Sequence, residues 1–273
     1  MTKDLPVIGA CLPAAHIALH RDWIFEMDRD VEVQGFNLPA AMDGDWRPMA
    51  EEVNRLLDGH KGRIGTHGPF VGFPINAQDS LIRKVVEQRM MDALDMCTFM
   101  KGTHMVLHSP YSNWDHHNFT TYNNYREHLL EFTHLTLDNV VRRAENEGVV
   151  LVLENVTDVD PAERRRLIDS FDSPNFKLSV DTGHAHYAHF TLGAPPADQF
   201  ILDAGVQLEH VHIQDADGYA DRHWSPGEGT IAWNSVFGEI AKLSQTPRVL
   251  LEIRDKDSIP AAHQYLVDRG LVR

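Results

Sequence analysis

Four acidic or imidazole side chains stand at the C-terminal ends of four separate apolar segments. They are Glu154 in VVLVLENV, Asp181 in FKLSVDTGHA, His212 in LEHVHIQDAD and Glu252 in RVLLEIRD. Carboxylate and imidazole groups bind Zn²⁺, Mn²⁺, Co²⁺ or Mg²⁺, and a bound cation relieves the repulsion between neighbouring carboxylates. The first chemistry that the sequence predicts is therefore that of a divalent metal site, without selecting the metal.

Five further His and Asp residues follow apolar segments or lie in the loop after the seventh of them. These additional candidate ligands are His67, His108, His184, Asp221 and His223. A single histidine at such a position is usually satisfied by the backbone or by solvent. Charged groups at the ends of so many apolar segments have no structural purpose, so we expect the whole set to converge on one site.

The apolar segments alternate with helical patterns, which predicts a parallel sheet. Eight segments are predicted strands, at 6–12, 31–37, 63–70, 104–111, 149–156, 176–185, 208–217 and 248–255. Helices are predicted at 46–59, 78–100, 120–148, 161–171 and 231–243, and the polar stretch 112–124 is predicted to be a long loop.

Eight such units in 273 residues predict an α/β protein with a single (β/α)8 TIM barrel of parallel strands, a single domain spanning 1–273. The C-terminal ends of the strands meet at one end of a barrel, here called the mouth, where active sites of this fold lie. A doubly wound open sheet is the competing fold. It should carry a glycine-rich phosphate turn, and neither GxGxxG nor GxxxxGK[ST] occurs in the chain.

Composition restricts the partners and the compartment. The formal net charge of −15 argues against a broad basic surface for nucleic acid, although bound cations would still permit a phosphate-bearing substrate. Cys11 and Cys97 form no CxxC pair, and MTKDLPVIGACL lacks the apolar stretch of a signal peptide. No run approaches the roughly 20 apolar residues that cross a bilayer. We expect a cytoplasmic protein without a membrane partner, and the sequence leaves open whether it forms a homo-oligomer.

Aromatic and basic residues near the candidate ligands are candidate substrate contacts. Trp114 lies in the predicted loop 112–124, where an indole could stack on a sugar ring. Arg222 and Arg254 are sequence neighbours of candidate ligands and could bind a phosphate or a carboxylate. GEG at 227–229 is predicted to shape a turn, because no helix start with Lys and Ser/Thr follows it.

At these residues the chain resembles the xylose isomerase-like barrel superfamily, which includes sugar isomerases, ketose epimerases and endonuclease IV. The resemblance runs from Val7 to Asp255, and its motifs are LENV, DTGHAH, HVHIQD, DRHWSPGEG and LLEIRD. Each motif is short, but they occur in the expected order and on the expected strands.

The ketose epimerase branch implies one metal, held by Glu154, Asp181, His212 and Glu252. The two glutamates would then flank the substrate carbon, one removing a proton and the other returning it through a metal-stabilised enediolate. By the same resemblance, the substrate would be contacted by His67, His108 and His184.

The endonuclease IV branch implies three zinc ions and hydrolysis of a phosphodiester in abasic DNA. The first ion would lie between His67, His108 and Glu154, the second in the set of four, and the third between His184, Asp221 and His223. From one to three metal ions per chain are thus implied.

Departures from the endonuclease favour the isomerase. The segment 37–49 lacks the basic, glutamine-bearing loop that the endonuclease inserts into DNA, and no Lys or Arg cluster accompanies segment 67–76. We therefore predict a metal-dependent isomerase or epimerase of a sugar, sugar phosphate or related polyol, with Glu154 and Glu252 as catalytic residues. The alternative is an endonuclease IV-like zinc phosphodiesterase.

Overall fold

A computed structural model of the protein describes residues 5–273. Residues 1–4 lie outside the described residues. They are part of two predictions, the domain spanning 1–273 and the N-terminal segment in which no signal peptide is predicted. The strands are β1 Ile8–Leu12, β2 Val31–Val33, β3 Ile64–His67, β4 His104–His108, β5 Val150–Glu154, β6 Phe176–Asp181, β7 Leu208–Ile213 and β8 Arg248–Leu251.

These eight strands pair in chain order, all parallel, and β8 closes on β1 to complete a barrel. The predicted (β/α)8 TIM barrel is confirmed. The register sets the height of the candidate ligands, because His108 pairs with Glu154 and Asp181 pairs with His212 across neighbouring strands. The C-terminal residues of β4 to β7 are thus brought to similar levels at the mouth.

Helices surround the barrel, and all five predicted helices are present. They run α1 Ala14–Leu19, α2 Arg21–Glu26, α3 Pro39–Asp43, α4 Arg47–Leu56, α5 Ser80–Phe99, α6 Asn113–Asn118, α7 Tyr125–Glu147, α8 Pro161–Ser170, α9 Thr182–Leu192, α10 Ala197–Ala204, α11 Trp233–Lys242 and α12 Ile259–Val267. Short 3₁₀ helices cover Gly205–Gln207 and Lys256–Ser258. No helix within residues 5–273 combines the length and the apolar character that crossing a bilayer requires.

Among the predicted boundaries that are wrong, two differ from the structure because of side-chain capping. The predicted loop 112–124 contains α6, because Ser112 and Asp115 form a reciprocal capping box at its start. The predicted strand 176–185 ends at Asp181, whose carboxylate accepts the His184 amide and so starts α9. His184 therefore lies in the first turn of a helix and not on a strand.

A buried arginine fixes the positions at which β5 and β6 end. The Arg164 guanidinium is fully buried and donates to the carbonyls of Leu153, at 2.9 Å, and Ser179, at 2.6 Å. Its Nε lies 3.4 Å from Asp158 Oδ1, and the same Asp158 oxygen accepts from Ser109 Oγ at 2.7 Å. This arrangement joins α8 to the ends of three neighbouring strands, including the two that carry Glu154 and Asp181.

Candidate metal centre

The mouth brings together the four residues of the first predicted ligand set. One side-chain ligand atom from each of Glu154, Asp181, His212 and Glu252 lies within 4.8 Å of the others. His212 Nδ1 forms a short contact with Glu154 Oε1 and lies 3.2 Å from Glu252 Oε2. All four side chains are buried, so the cluster places three carboxylates and one imidazole out of bulk water.

Two further clusters flank this central one. His67, His108 and Glu154 again offer ligand atoms within 4.8 Å of one another, with Glu154 Oε2 lying 3.2 Å from His108 Nε2 and 3.6 Å from His67 Nε2. On the other side His184, Asp221 and His223 satisfy the same criterion. All nine residues predicted as ligands are thus found in three adjoining clusters.

The side-chain amide of Asn155 joins the ends of β5 and β6 beneath the central cluster through two hydrogen bonds. Asn155 Nδ2 donates to the carbonyl of Asp181 at 3.0 Å, and the Asp181 amide donates to Asn155 Oδ1 at 2.9 Å. Asn155 follows Glu154 directly, so this exchange fixes the spacing between two candidate ligands. The LENV motif therefore combines a ligand with the residue that positions its neighbour.

Gln214 connects the central cluster with the cluster of His184, Asp221 and His223, here called the outer cluster. Its Nε2 donates to Asp181 Oδ1 at 3.1 Å and to Asp221 Oδ1 at 3.0 Å, while its Oε1 accepts the His223 amide at 2.8 Å. A Cβ on Gly183 would lie 2.2 Å from this side chain. Glycine is consequently required at position 183 of DTGHAH, because a larger residue would clash with the Gln214 side chain.

Three histidines are oriented by backbone carbonyls. The Nδ1 atoms of His67, His184 and His223 lie 2.8, 2.9 and 2.8 Å from the carbonyl oxygens of Gly68, Asn155 and Glu252, respectively. A carbonyl oxygen only accepts, so each Nδ1 carries the proton and each Nε2 presents a lone pair to a cluster. Metal-binding histidines are typically held by such an outer hydrogen bond.

The electrostatics of the central cluster reflect its excess of negative charge. Burial alone would lower the pKa of His212, but the Glu252 and Glu32 carboxylates raise it well above its ordinary value. Burial would raise the pKa of Glu154, whereas His212 lowers it well below its ordinary value. Burial, with the nearby Glu154 and Glu252 charges, raises the pKa of Asp181 to about 6 despite the attraction of His184. Positive charge at the centre of these carboxylates would therefore stabilise the cluster.

A divalent cation fits this donor set. Asp181 Oδ2 is 0% exposed and has no hydrogen-bond partner among the described residues, although it lies in the central cluster. An orphaned buried carboxylate oxygen is costly unless a proton or a cation satisfies it. Three carboxylates and one imidazole can supply a four-coordinate site, which matches the ligand types that Zn²⁺ and Mn²⁺ accept.

A cavity of about 400 Å³ opens above the clusters. Its wall includes the candidate ligands and also Gln34, Asn37, Phe70, Arg254 and Lys256. Two residues predicted to contact substrate, Trp114 and Arg222, lie outside this cavity. Trp114 is 61% exposed on α6, and the Arg222 guanidinium pairs with Asp217 at 2.8 Å, and neither residue lines this cavity.

The region after β7 is organised by a residue that sequence reasoning passed over. Asp215 accepts hydrogen bonds from the amide of Gly227 at 2.8 Å, the amide of Ile231 at 3.2 Å and the indole of Trp233 at 3.2 Å. Gly227 has φ +97°, a conformation that favours glycine. The prediction that GEG shapes a turn is thus confirmed.

Other residues beside the clusters were also missed. Glu32, Gln34 and Gln214 contact predicted ligands, Lys256 lines the cavity, and Cys11 lies within ligand distance of Glu32, His212 and Glu252. Glu32 had a detectable signal, because a lone carboxylate inside the short strand VEV must be paired. Burial raises the pKa of the Cys11 thiol above its ordinary value.

Known proteins are similar to this chain in sequence or in fold. The chain is 26% identical over 180 residues to fructoselysine 3-epimerase of Escherichia coli O157:H7, covering 62% of this chain and 60% of that protein. A protein from Thermus thermophilus soaked with ZnCl2 has the same fold, with TM-score 0.70, 23% identity and coverage of 96% of this chain and 98% of that one. D-allulose 3-epimerase from Methylomonas sp., in complex with D-allulose, superposes with TM-score 0.67 at 14% identity, covering 98% and 99% of the two chains.

A family match covers more of the chain than the sequence similarity to fructoselysine 3-epimerase does. Residues 28–269 match the family described as the xylose isomerase-like TIM barrel, and this range contains β2 to β8 and all nine candidate ligands. The closed parallel barrel and the ligand clusters at its mouth are consistent with that match. The chain therefore belongs to the xylose isomerase-like TIM barrel family, whose members include sugar epimerases and isomerases.

Proposed function

We propose that the protein is a divalent-metal-dependent isomerase or epimerase that transfers a proton between carbons of a sugar, sugar phosphate or related polyol. The observation that carries the proposal is the convergence of two carboxylates on His212 Nδ1, that of Glu154 at the end of β5 and that of Glu252 directly after β8. The epimerase names of its relatives support the same substrate class.

The cation would be held by Glu154, Asp181, His212 and Glu252. A bound divalent ion polarises a carbonyl group and stabilises negative charge on its oxygen. Positioning a substrate in the cavity falls to the protein, with the amides of Gln34 and Asn37 available to hydroxyl groups. Phe70, stacked on His108 at 4.2 Å between ring centroids, supplies an apolar wall.

The two glutamates differ in how fully their oxygens are engaged. Both oxygens of Glu154 face imidazoles, namely His212 on one side and His67 and His108 on the other. Glu252 has one oxygen near His212, while the other accepts only a long contact of 3.4 Å from Gln34. Glu252 also lines the cavity and is 9% exposed. It is therefore the better placed to remove a proton from the carbon beside a carbonyl, with Glu154 returning a proton.

Replacing Glu252 with Gln should reduce kcat by about 10² to 10⁴-fold, the range expected for loss of a general base. Turnover is followed as solvent deuterium incorporation into a panel of ketoses, aldoses and their phosphates. Glu209→Gln is the matched control, because Glu209 lies 3.4 Å from His104 near the start of β7, away from the mouth. Unchanged activity of E252Q on a substrate of the wild type contradicts the two-glutamate mechanism.

The metal content of the protein tests the proposed metal dependence. We expect the wild type, stripped with a chelator and dialysed against Zn²⁺ or Mn²⁺, to retain at least one ion per chain by elemental analysis. Asp181→Asn should weaken binding at the central cluster by more than about 100-fold, since loss of a ligand exceeds the effect of outer contacts. A wild type that retains no divalent ion contradicts the proposed metal dependence.

The three adjoining clusters favour one second candidate, a zinc phosphodiesterase acting on abasic DNA. Each cluster has the composition that a zinc ion accepts, and adjacent ions can stabilise both the attacking and the leaving oxygen of a phosphodiester. Incubation of the zinc-loaded protein with a duplex containing one abasic site distinguishes the candidates. Strand incision supports the phosphodiesterase, and its absence in a sample holding three zinc ions per chain eliminates it.

A further inference from the structure

A buried carboxylate with no role in the proposed reaction lies behind the central cluster. Glu32, from the middle of β2, is 0% exposed. Its Oε2 lies 3.1 Å from His212 Nε2 and 3.2 Å from His210 Nε2, and its Oε1 has no partner among the described residues. A buried charge in this position is unfavourable unless a neighbouring group pairs with it or donates a hydrogen bond to it.

The hydrogen bonds around Glu32 determine which nitrogen of His212 carries a proton. An ionised carboxylate only accepts, so His212 Nε2 must donate to it. In a neutral imidazole the lone pair then lies on Nδ1, the nitrogen that faces Glu154 and Glu252. The opposite tautomer would place a proton where the cation should bind.

Glu32 is itself held from the side away from the mouth. His210 approaches the same Oε2 atom, and its Nδ1 lies 2.9 Å from Ser179 Oγ. The Ser179 hydroxyl can donate to His210 Nδ1, whereas His210 Nε2 lies near Glu32 without a hydrogen bond to it. Ser179, His210, Glu32 and His212 thus lie next to one another inside the barrel, behind the central cluster.

We propose that Glu32 is a positioning residue, which accepts the His212 Nε2 proton and thereby holds Nδ1 as the nitrogen that binds the cation. The hydrogen bond between Glu32 Oε2 and His212 Nε2, at 3.1 Å, is the contact that carries this role. The inference rests on the proposed function only in that the central cluster binds a divalent ion. It concerns metal binding and not the identity of the sugar.

The test is the affinity of the stripped protein for Co²⁺, measured by chelator competition and by the absorption bands of the bound ion. Glu32→Gln, which removes the charge at constant size, should weaken binding by about 10- to 100-fold, as loss of an outer carboxylate does elsewhere. Its Co²⁺ spectrum should also change. Glu209→Gln removes a carboxylate from another buried histidine, His104, and should bind Co²⁺ as the wild type does.

Affinity of E32Q within about twofold of the wild type, with an unchanged spectrum, overturns the inference, since loss of an outer carboxylate should exceed that change. Should E32Q fail to fold, the wild type decides the question through ¹⁵N chemical shifts of His212 in the zinc-loaded protein. Zinc on Nδ1 with a protonated Nε2 supports the inference. Zinc on Nε2, or on both nitrogens as in an interior site with Cys11, overturns it. Normal metal binding without turnover of any sugar contradicts the proposed function alone.

A second inference rests on two cations at the wall of the cavity. Arg254 and Lys256 both line it, and neither side chain has a hydrogen bond or an ion pair with another described residue. Their backbone is nevertheless fixed, because the Arg254 amide donates to the His223 carbonyl at 2.7 Å and His20 Nε2 lies 2.7 Å from the Lys256 carbonyl. Two unpaired cations therefore extend from an anchored segment directly after Glu252.

We infer that these two residues receive an anionic group of the substrate, a phosphate or a carboxylate, while its carbonyl end lies at the central cluster. A chain of net charge −15 repels anions in general, so a local pair of free cations gives the cavity a preference that the rest of the surface opposes. The inference deepens the proposed function, because it selects acidic sugars among the possible substrates.

The experiment is calorimetric titration of the metal-loaded protein with fructose 6-phosphate, fructuronate and fructose. The phosphate and carboxylate arms identify which anion is preferred. At least one acidic sugar should bind about 10- to 100-fold more tightly than fructose, the range of a charge-assisted hydrogen bond. The double variant R254Q/K256Q should lose this difference and retain its metal.

The matched control is R21Q/K61Q, which removes the same charge from exposed positions outside the cavity. Equal binding of all three sugars by the wild type overturns the inference. A preference for the acidic sugar that survives in R254Q/K256Q also overturns it, because groups other than these two then bind the anion. Turnover of neutral sugars alone contradicts this inference and leaves the proposed isomerase intact.

Discussion

The buried contact of one imidazole with three carboxylates is the constraint on which the site depends. His212 is fully buried, with Glu154 and Glu252 at Nδ1 and Glu32 at Nε2. These carboxylates lie on β5, directly after β8 and on β2, respectively, so separate parts of the barrel meet at the ring. Negative charge concentrated in this way is unfavourable without compensation, which a proton on the ring or a divalent cation at Nδ1 can supply.

Closure of the barrel makes that concentration of charge structurally possible. The strand register brings Asp181 level with His212 and His108 level with Glu154, so no loop has to support the central ligands. Below them, the Asn155 amide and the Arg164 guanidinium donate to carbonyls at the ends of β5 and β6. These side chains thus hold in place the backbone that carries Glu154 and Asp181.

The barrel and the candidate ligands were predictable because both leave local signals in the sequence. Six of the eight strands have a candidate ligand at or beside their C-terminal end, and both the period of the strands and their polar ends can be recognised without knowledge of tertiary contacts. Glu32 was missed because its partners, His210 and His212, lie about 180 residues away, a pairing that only the closed barrel creates. Trp114 and Arg222 were selected by proximity in sequence, yet capping started α6 at Asn113, and Asp217 paired with Arg222, and neither residue lines the cavity.

The central and outer clusters differ in what supports them, and this difference bears on how one fold serves several reactions. The central ligands stand at strand ends, whereas Asp221 and His223 lie in the loop after β7, where the Asp221 side chain is 48% exposed. His223 has φ +51°, an uncommon conformation for a residue with a side chain, and it is maintained by contacts of its amide with Gln214 and of its ring with the Glu252 carbonyl. The outer cluster therefore depends on the loop after β7, whereas the clusters of His67, His108, Glu154 and Asp181 depend on strand ends. Because loops of a barrel vary more readily than its strands, variation of this loop can change the chemistry at the mouth while the groups carried by the strands stay in place.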